Sequence, residues 1–334
     1  MMKQINFLTI ITLLAFSLFS CNKGDDTAPI IEPLDDNSLP SAAILGVEVM
    51  EKTDDRLKFR MNIAVFRDSE NIEENLNASA FAIDSLQIAG YHSGFANDLT
   101  NRVQGGKAGN YSALLLMDQS GSISSTDPEN YRLDAARIFS LNLGANNNVA
   151  LWSFSGSNYK AILDFTTDTA NVIREIENLR DKEGGSTPLY RSQYEAITYT
   201  KGNSNKANKA VLTFTDGQNS GSGNSEEVVN HAKSQGITLY NIGLGDVSTD
   251  LLLQQAVATK GAFMYAKDAK QLISFFGNLD KLLSHTATYY QTEWTVRSKS
   301  GEKPFQGQGQ IKHEVKVTFP FGGQISVPFS FSYQ

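Results

Sequence analysis

The chain has 334 residues, enough for two domains or more, and its 40% hydrophobic and 19% charged residues describe a globular protein. Its net charge is −7, and −8 (28 − 36) once the first twenty residues and their one charge, Lys3, are set aside. That balance excludes the basic face that nucleic-acid binding requires and suits a soluble, extracytoplasmic surface.

Lys3 precedes an apolar stretch, Ile5 to Phe19, that is too short to span a bilayer comfortably. It ends in Leu18-Phe19-Ser20-Cys21, and Cys21 is the single cysteine of the chain, so no internal disulfide is possible. This segment resembles the lipobox of bacterial lipoproteins. The resemblance implies a signal peptide over 1–20, a lipidated Cys21, and membrane contact through that anchor only. Residues 21–40 carry Asp25, Asp26, Glu32, Asp35, Asp36 and three prolines with no hydrophobic period, as an extended acidic tether does. The acidic pair behind Cys21 resembles the surface-export signals of Bacteroidota lipoproteins, which implies an outer-membrane or cell-surface location. A solvated acidic linker reads the same.

In 41–110, Leu57, Phe59, Met61, Ile63 and Val65 alternate as a half-buried strand, and Phe81–Ile83 and Leu86–Ile88 make shorter ones. Gln104 to Asn110 reads as a hinge. Strands and helices then alternate through 111–285. Strands are expected at Ala113–Met117, Val149–Phe154, Ala161–Phe165, Lys209–Thr215, Ile237–Ile242 and Ala262–Ala266. Helices are expected after Pro128 and at Ala170–Leu179, Leu189–Tyr199, Glu226–Ser234 and Leu251–Ala258. One last helix carries Ala269, Leu272, Ile273, Phe276, Leu279 and Leu283 on a single face. The alternation predicts an α/β fold, a doubly wound and mostly parallel sheet with helices on both faces. In 286–334 the period returns to two, with Ile311 to Phe319 and Ile325 to Tyr333 joined by a Gly322-Gly323 hairpin turn and Pro328 suited to an edge. Neither β segment is a comfortable domain alone. Together they have the size of one β-sandwich interrupted by, or flanking, the α/β region; two independent β modules are the alternative.

The functional signal sits where a buried strand meets a helix. Asp118-Gln119-Ser120-Gly121-Ser122 follows Ala113–Met117 and places one carboxylate and two hydroxyls on a tight loop at a strand's carboxyl end, where open α/β sheets bind ligands. Gly184-Gly185-Ser186-Thr187-Pro188 sets Thr187 just before a helix, and Lys209 to Gly217 ends a second buried strand on Asp216. Two carboxylates and three hydroxyls form an all-oxygen donor set suited to Mg²⁺ or Mn²⁺. Each group also has an ordinary reading: Thr187 as a helix N-cap before a proline, Asp216-Gly217 as a turn, the serines as loop hydrogen-bonders.

The three parts, in this order and on these elements, resemble the metal-ion-dependent adhesion site of the von Willebrand factor A family, over roughly residues 111–285. The resemblance implies that Ser120 and Ser122 bind the metal directly, Thr187 directly or through water, and Asp118 and Asp216 mostly through water. It also implies a coordination position left for an Asp or Glu of a protein partner. Where integrin β subunits place acids for a second metal, this chain has Ser125 and Thr126, with Asp127 one position further on. His92, His231, His285 and His313 lack zinc spacing, Gly243-Leu244-Gly245 lacks the rest of a dinucleotide fingerprint, and no nucleophile elbow is present. The expectation is therefore a non-enzymatic, envelope-anchored protein that captures an acidic protein partner at a Mg²⁺-type site. A structural scaffold with a stabilising metal is the alternative.

Overall fold

A computed structural model describes residues 38–334, so the leader, Cys21 and most of the tether lie outside the described residues. At the centre stands β6 (Tyr111–Asp118), buried along its whole length. Its side chains alternate between two cores: Leu114 and Leu116 join one, and Ala113, Leu115 and Met117 the other. A strand apolar on both faces needs a cover on both, and the connecting helices supply it. α2 (Tyr131–Leu141), α3 (Thr169–Glu177), α7 (Gln271–Gly277) and α8 (Leu279–Leu283) pack on one face; α4 (Leu189–Asn203), α5 (Ser225–Gln235) and α6 (Thr249–Ala258) pack on the other.

Parallel neighbours flank β6 on each side: β7 (Asn148–Ser155) on one, and β9 (Asn208–Thr215), β10 (Thr238–Leu244) and β11 (Phe263–Ala266) in succession on the other. β8 (Asn158–Thr166) closes the outer edge as an antiparallel hairpin partner of β7. The parallel order puts the carboxyl ends of β6, β7 and β9 side by side. This is the doubly wound arrangement that the alternation predicts.

The flanking segments depart from a self-contained sandwich. β1 (Ser41–Lys52) pairs antiparallel with β11 through Ala43↔Met264 and Ile44↔Phe263. β2 (Arg56–Phe66), β12 (Tyr289–Ser298), β5 (Tyr91–Val103) and the short β4 (Leu86–Ile88) follow outward, so one eleven-stranded sheet runs through both parts. The second sheet has three strands: β14 (Gln324–Tyr333), β13 (Gly309–Thr318) and the two-residue β3 (Phe81–Ala82). The two sheets pack face to face, with the Phe59 ring 4.7 Å from Phe331 and 5.8 Å from Phe329. The two segments meet, and the larger sheet of the pair is the α/β sheet prolonged. β11 would otherwise expose an unpaired edge, and β1 satisfies its backbone groups.

Two further expectations change. The predicted last helix is broken in two at Gly277–Asn278, because the connection after β2 passes there. A Cβ on Gly277 would lie 2.1 Å from the Ser69 carbonyl oxygen, Asn278 Nδ2 donates to the Asp68 carbonyl (2.8 Å), and Lys281 Nζ donates to the Glu70 carbonyl (2.6 Å). The predicted hinge at 104–110 is pinned: Gly106 N donates to the His285 carbonyl (2.7 Å) and Gly109 N to the Ser284 carbonyl (3.1 Å).

Candidate metal centre

Three loops meet at the carboxyl edge formed by β6, β7 and β9. The chain leaves β6 at Asp118 and enters α1 (Ile123–Thr126) within five residues. Asp118 is fully buried and folds back on its own loop: Ser120 N donates to Oδ1 (2.8 Å), while Thr215 Oγ1, from the end of β9, donates to Oδ2 (2.7 Å). Ser120 Oγ lies 3.2 Å from Ser122 Oγ, and Ser122 Oγ donates to Asp216 Oδ1 (2.8 Å). Thr126 Oγ1 donates to Asp216 Oδ2. Asp118, Ser120, Ser122 and Asp216 are thus one continuous hydrogen-bonded set.

Thr187 joins across Gly217. A Cβ built on Gly217 would sit 3.2 Å from Thr187 Oγ1 and 3.8 Å from Ser122 Oγ, so the two hydroxyls flank one small space kept open by glycine. The second loop is held in place by its backbone. Gly121 N donates to the Gly185 carbonyl and Gly184 N to the Gln119 carbonyl (2.9 Å each), and Thr187 N donates to Ser220 Oγ (2.7 Å). Gly185 has a φ of +81° and backs onto Gly156 so closely that a Cβ would lie 2.7 Å from its nitrogen. That turn needs glycine on both counts.

α4 begins at Leu189 with Pro188 in the cap position and no side-chain cap hydrogen bond, so the Thr187 hydroxyl is not spent as an N-cap. Ser122 stands at the cap of α1, and its hydroxyl likewise makes no cap bond. Both hydroxyls are turned to the cluster instead. Burial pushes the Asp118 carboxyl up to about 6; hydrogen bonds from Ser120 and Thr215 oppose the rise, and the charge of Asp216 adds to it. Among the described residues no three His, Cys, Asp or Glu side chains gather in one place, so a cation here must lean on hydroxyls. Two carboxylates with three hydroxyls fit a hard divalent cation that keeps some of its waters.

Asp127 takes no part in this set. Its carboxylate accepts from the Tyr131 and Arg132 backbone N–H groups (2.8 and 3.0 Å) and pairs with Arg132 Nη1 (3.1 Å). The fully buried Arg132 also donates to Asn130 Oδ1 (2.9 Å), Gln119 Oε1 (3.0 Å) and Glu183. Asp127 therefore satisfies the first two backbone N–H groups of α2 and neutralises an arginine that ties the Gln119 loop to the Glu183 loop from behind. With Ser125 exposed and Thr126 bound to Asp216, the second metal position of integrin β subunits has no acids here.

Residues 114–278 match the model of the von Willebrand factor type A domain. The chain carries a von Willebrand A domain. Complement C2 of Bos taurus is 23% identical over 254 residues, 61% of this chain and 34% of that protein, so the chain spans about a third of that relative's length. Among solved structures, proximal thread matrix protein 1 of the mussel byssus is similar at 18% identity and a TM-score of 0.47, over 60% of this chain and 50% of that one, in a form with zinc in its metal-ion-dependent adhesion site. The von Willebrand domain of the type V pilus tip protein Mfa5 from Porphyromonas gingivalis is 14% identical with a TM-score of 0.44, over 53% of this chain and 95% of that one. A von Willebrand A protein of Catenulispora acidiphila is 12% identical with a TM-score of 0.45, over 88% and 74%.

Two residues of the A domain's edge escaped the sequence reading. Thr215 precedes Asp216 and holds Asp118; Thr126 follows Ser122 by one helical turn and holds Asp216. The spacing of Thr126, four residues after Ser122 on a helix start, is the signal that could have found it.

Proposed function

We propose that this protein binds rather than turns over a substrate: it captures an acidic group of a protein partner through a divalent cation, Mg²⁺ or Mn²⁺, at the carboxyl edge of the A-domain sheet. The observation that carries the reading is that the Ser120 and Ser122 hydroxyls join the buried Asp118 and Asp216 in one hydrogen-bonded set, while the Thr187 hydroxyl flanks with Ser122 the space left open at Gly217. Ser120, Ser122 and Thr187 would hold the cation, and Asp118 and Asp216 would balance its charge, largely through water. The bound cation supplies a positive centre with a position for an Asp or Glu carboxylate of the partner. The rest of the acidic chain repels such a partner, so the site decides the encounter. Thr215 and Thr126 act as positioning residues by fixing the two carboxylates.

The lipobox-like segment ending at Cys21 and the acidic tether support a lipid-anchored envelope protein, joined to the membrane by that anchor alone. Fractionation of cells expressing Cys21→Ala tests this, with release from the membrane expected and unchanged mass and membrane retention against it. Calorimetric titration with Mg²⁺ tests the site. Wild type should bind and Asp118→Ala should not; equal binding by both would refute it. A native partner whose affinity ignores both chelator and Asp118→Ala would support the scaffold role instead.

A further inference from the structure

A cleft of about 650 Å³ opens directly beside the metal loops, on their β7 side. Its size falls in the range of about 300–1,000 Å³ typical of ligand sites. Gln119, the residue between Asp118 and Ser120, lines it, as do Ser153 and Ser155 from β7. Ile162 and Leu179 contribute apolar lining, and Lys160 and Lys182, both exposed, line it as well. Neither lysine has an ion-pair partner among the described residues. Glu175, the one acid on the lining, is already engaged: it accepts from Asn178 Nδ2 (3.1 Å) and lies 3.5 Å from Arg174 Nε. On a chain of net charge −7, two unpaired cations at one concavity are a local reversal of sign.

The position of Lys182 is held by structure. Glu183 on its carboxyl side is bound to the buried Arg132, and Gly184 is tied to Gln119. Lys182 precedes Thr187 by five residues, so the two lie at most about 18 Å apart. An extended partner segment with two acids no more than about five residues apart can therefore place one at the cation and the other at the lysines, its aliphatic stem against Ile162 and Leu179.

We infer that the cleft is the second contact of the partner site, and that the partner presents an acidic segment with at least two carboxylates rather than a single one. This rests on the cation-dependent capture proposed above. The two contacts act together: the cation takes one carboxylate, and Lys160 and Lys182 hold the next.

The test uses the whole protein and a fluorescein-labelled oligoglutamate peptide, followed by fluorescence anisotropy in Mg²⁺ and in EDTA. Lys160→Gln/Lys182→Gln is compared with Lys201→Gln/Lys233→Gln, which removes the same charge from exposed positions on α4 and α5. Matched thermal midpoints confirm that both fold. Mg²⁺-dependent binding that is roughly tenfold weaker in the first variant, with a shallower salt dependence, and unchanged in the second supports the inference. Mg²⁺-dependent binding with the same affinity in both variants, or the same loss, overturns the cleft and leaves the metal reading standing. Binding that ignores EDTA and Asp118→Ala but is lost in the first variant overturns the metal reading and the coupled contact with it. No binding in Mg²⁺ overturns both.

Discussion

Asp118 and Asp127 lie nine positions apart on one strand-to-helix connection, both are buried, and burial pushes both carboxyls up from their ordinary range. Their surroundings are opposite. Asp127 has two backbone donors and a buried guanidinium, so its charge is answered within the protein. Asp118 has a backbone N–H, the Thr215 hydroxyl and, nearby, a second carboxylate. A buried carboxylate without a cation is costly unless something else supplies the charge. The contrast separates structure from site. The Asp127–Arg132 pair is complete and holds the loops, while among the described residues Asp118 and Asp216 are met by hydroxyl and backbone donors and by no cationic side chain.

The largest effect should come from breaking the completed pair. Arg132→Met strands Asp127 and Glu183 without their partner and should cost about 3–5 kcal/mol in urea unfolding. The loss should be the same in Mg²⁺ and in EDTA, since Arg132 acts on the fold. A loss seen only in Mg²⁺ would dissolve the distinction between the two aspartates.

Removing the incomplete partner should do the reverse. For a Kd tenfold below the free Mg²⁺ concentration, the cation should stabilise wild type by about 1.4 kcal/mol, and Asp118→Ala should erase that increment. In EDTA the variant should be no less stable than wild type, because a desolvated charge beside Asp216 has been taken away. Thermal unfolding with and without Mg²⁺ reads both outcomes.

The raised carboxyl of Asp118 also makes the stability of the metal-free protein depend on pH. A carboxyl whose folded pKa of about 6 exceeds its ordinary 3.8 binds a proton in the folded state before the unfolded chain does. Its penalty is full above about pH 6, shrinks as pH falls toward 3.8, and is gone below it. Wild type in EDTA should therefore gain about 1 kcal/mol relative to Asp118→Ala between pH 7 and pH 5. A gain of the same size in Asp118→Ala would assign it elsewhere.

The smallest effect concerns a positioning hydroxyl. Thr126→Val removes the donor to Asp216 Oδ2 and should weaken Mg²⁺ binding about threefold with little change in stability. Calorimetry showing unchanged affinity would leave Thr126 a mere helix residue.

Much of the α/β order was legible because strands buried on both faces read as unbroken apolar runs, as Ala113–Met117 does, and the helices between them show one apolar stripe. β5 was not legible: most of its thirteen residues are exposed or half-buried, and its strand form comes from pairing with β12. β1 was hidden for a related reason: it is buried only over its first four residues, where its backbone also meets β11, some 220 positions along the chain. The break at Gly277 could not be read from helix periodicity because its cause is the Ser69 backbone.

The same division runs through the site. Asp118, Ser120 and Ser122 are bound to one loop by local spacing, and Thr187 and Asp216 lie on the loops after α3 and β9, so residue type and order alone pointed to an oxygen-donor set. What local sequence does not encode is which hydroxyl faces the cluster and which carboxylate is already neutralised. Ser122 turns from its helix cap to Asp216, Thr126 and Thr215 turn toward the aspartates, and Asp127 is claimed by Arg132. Those choices depend on groups brought close by the stacking of parallel strands, and hydrogen bonds and charges act over a few ångströms of space, whatever the distance along the chain.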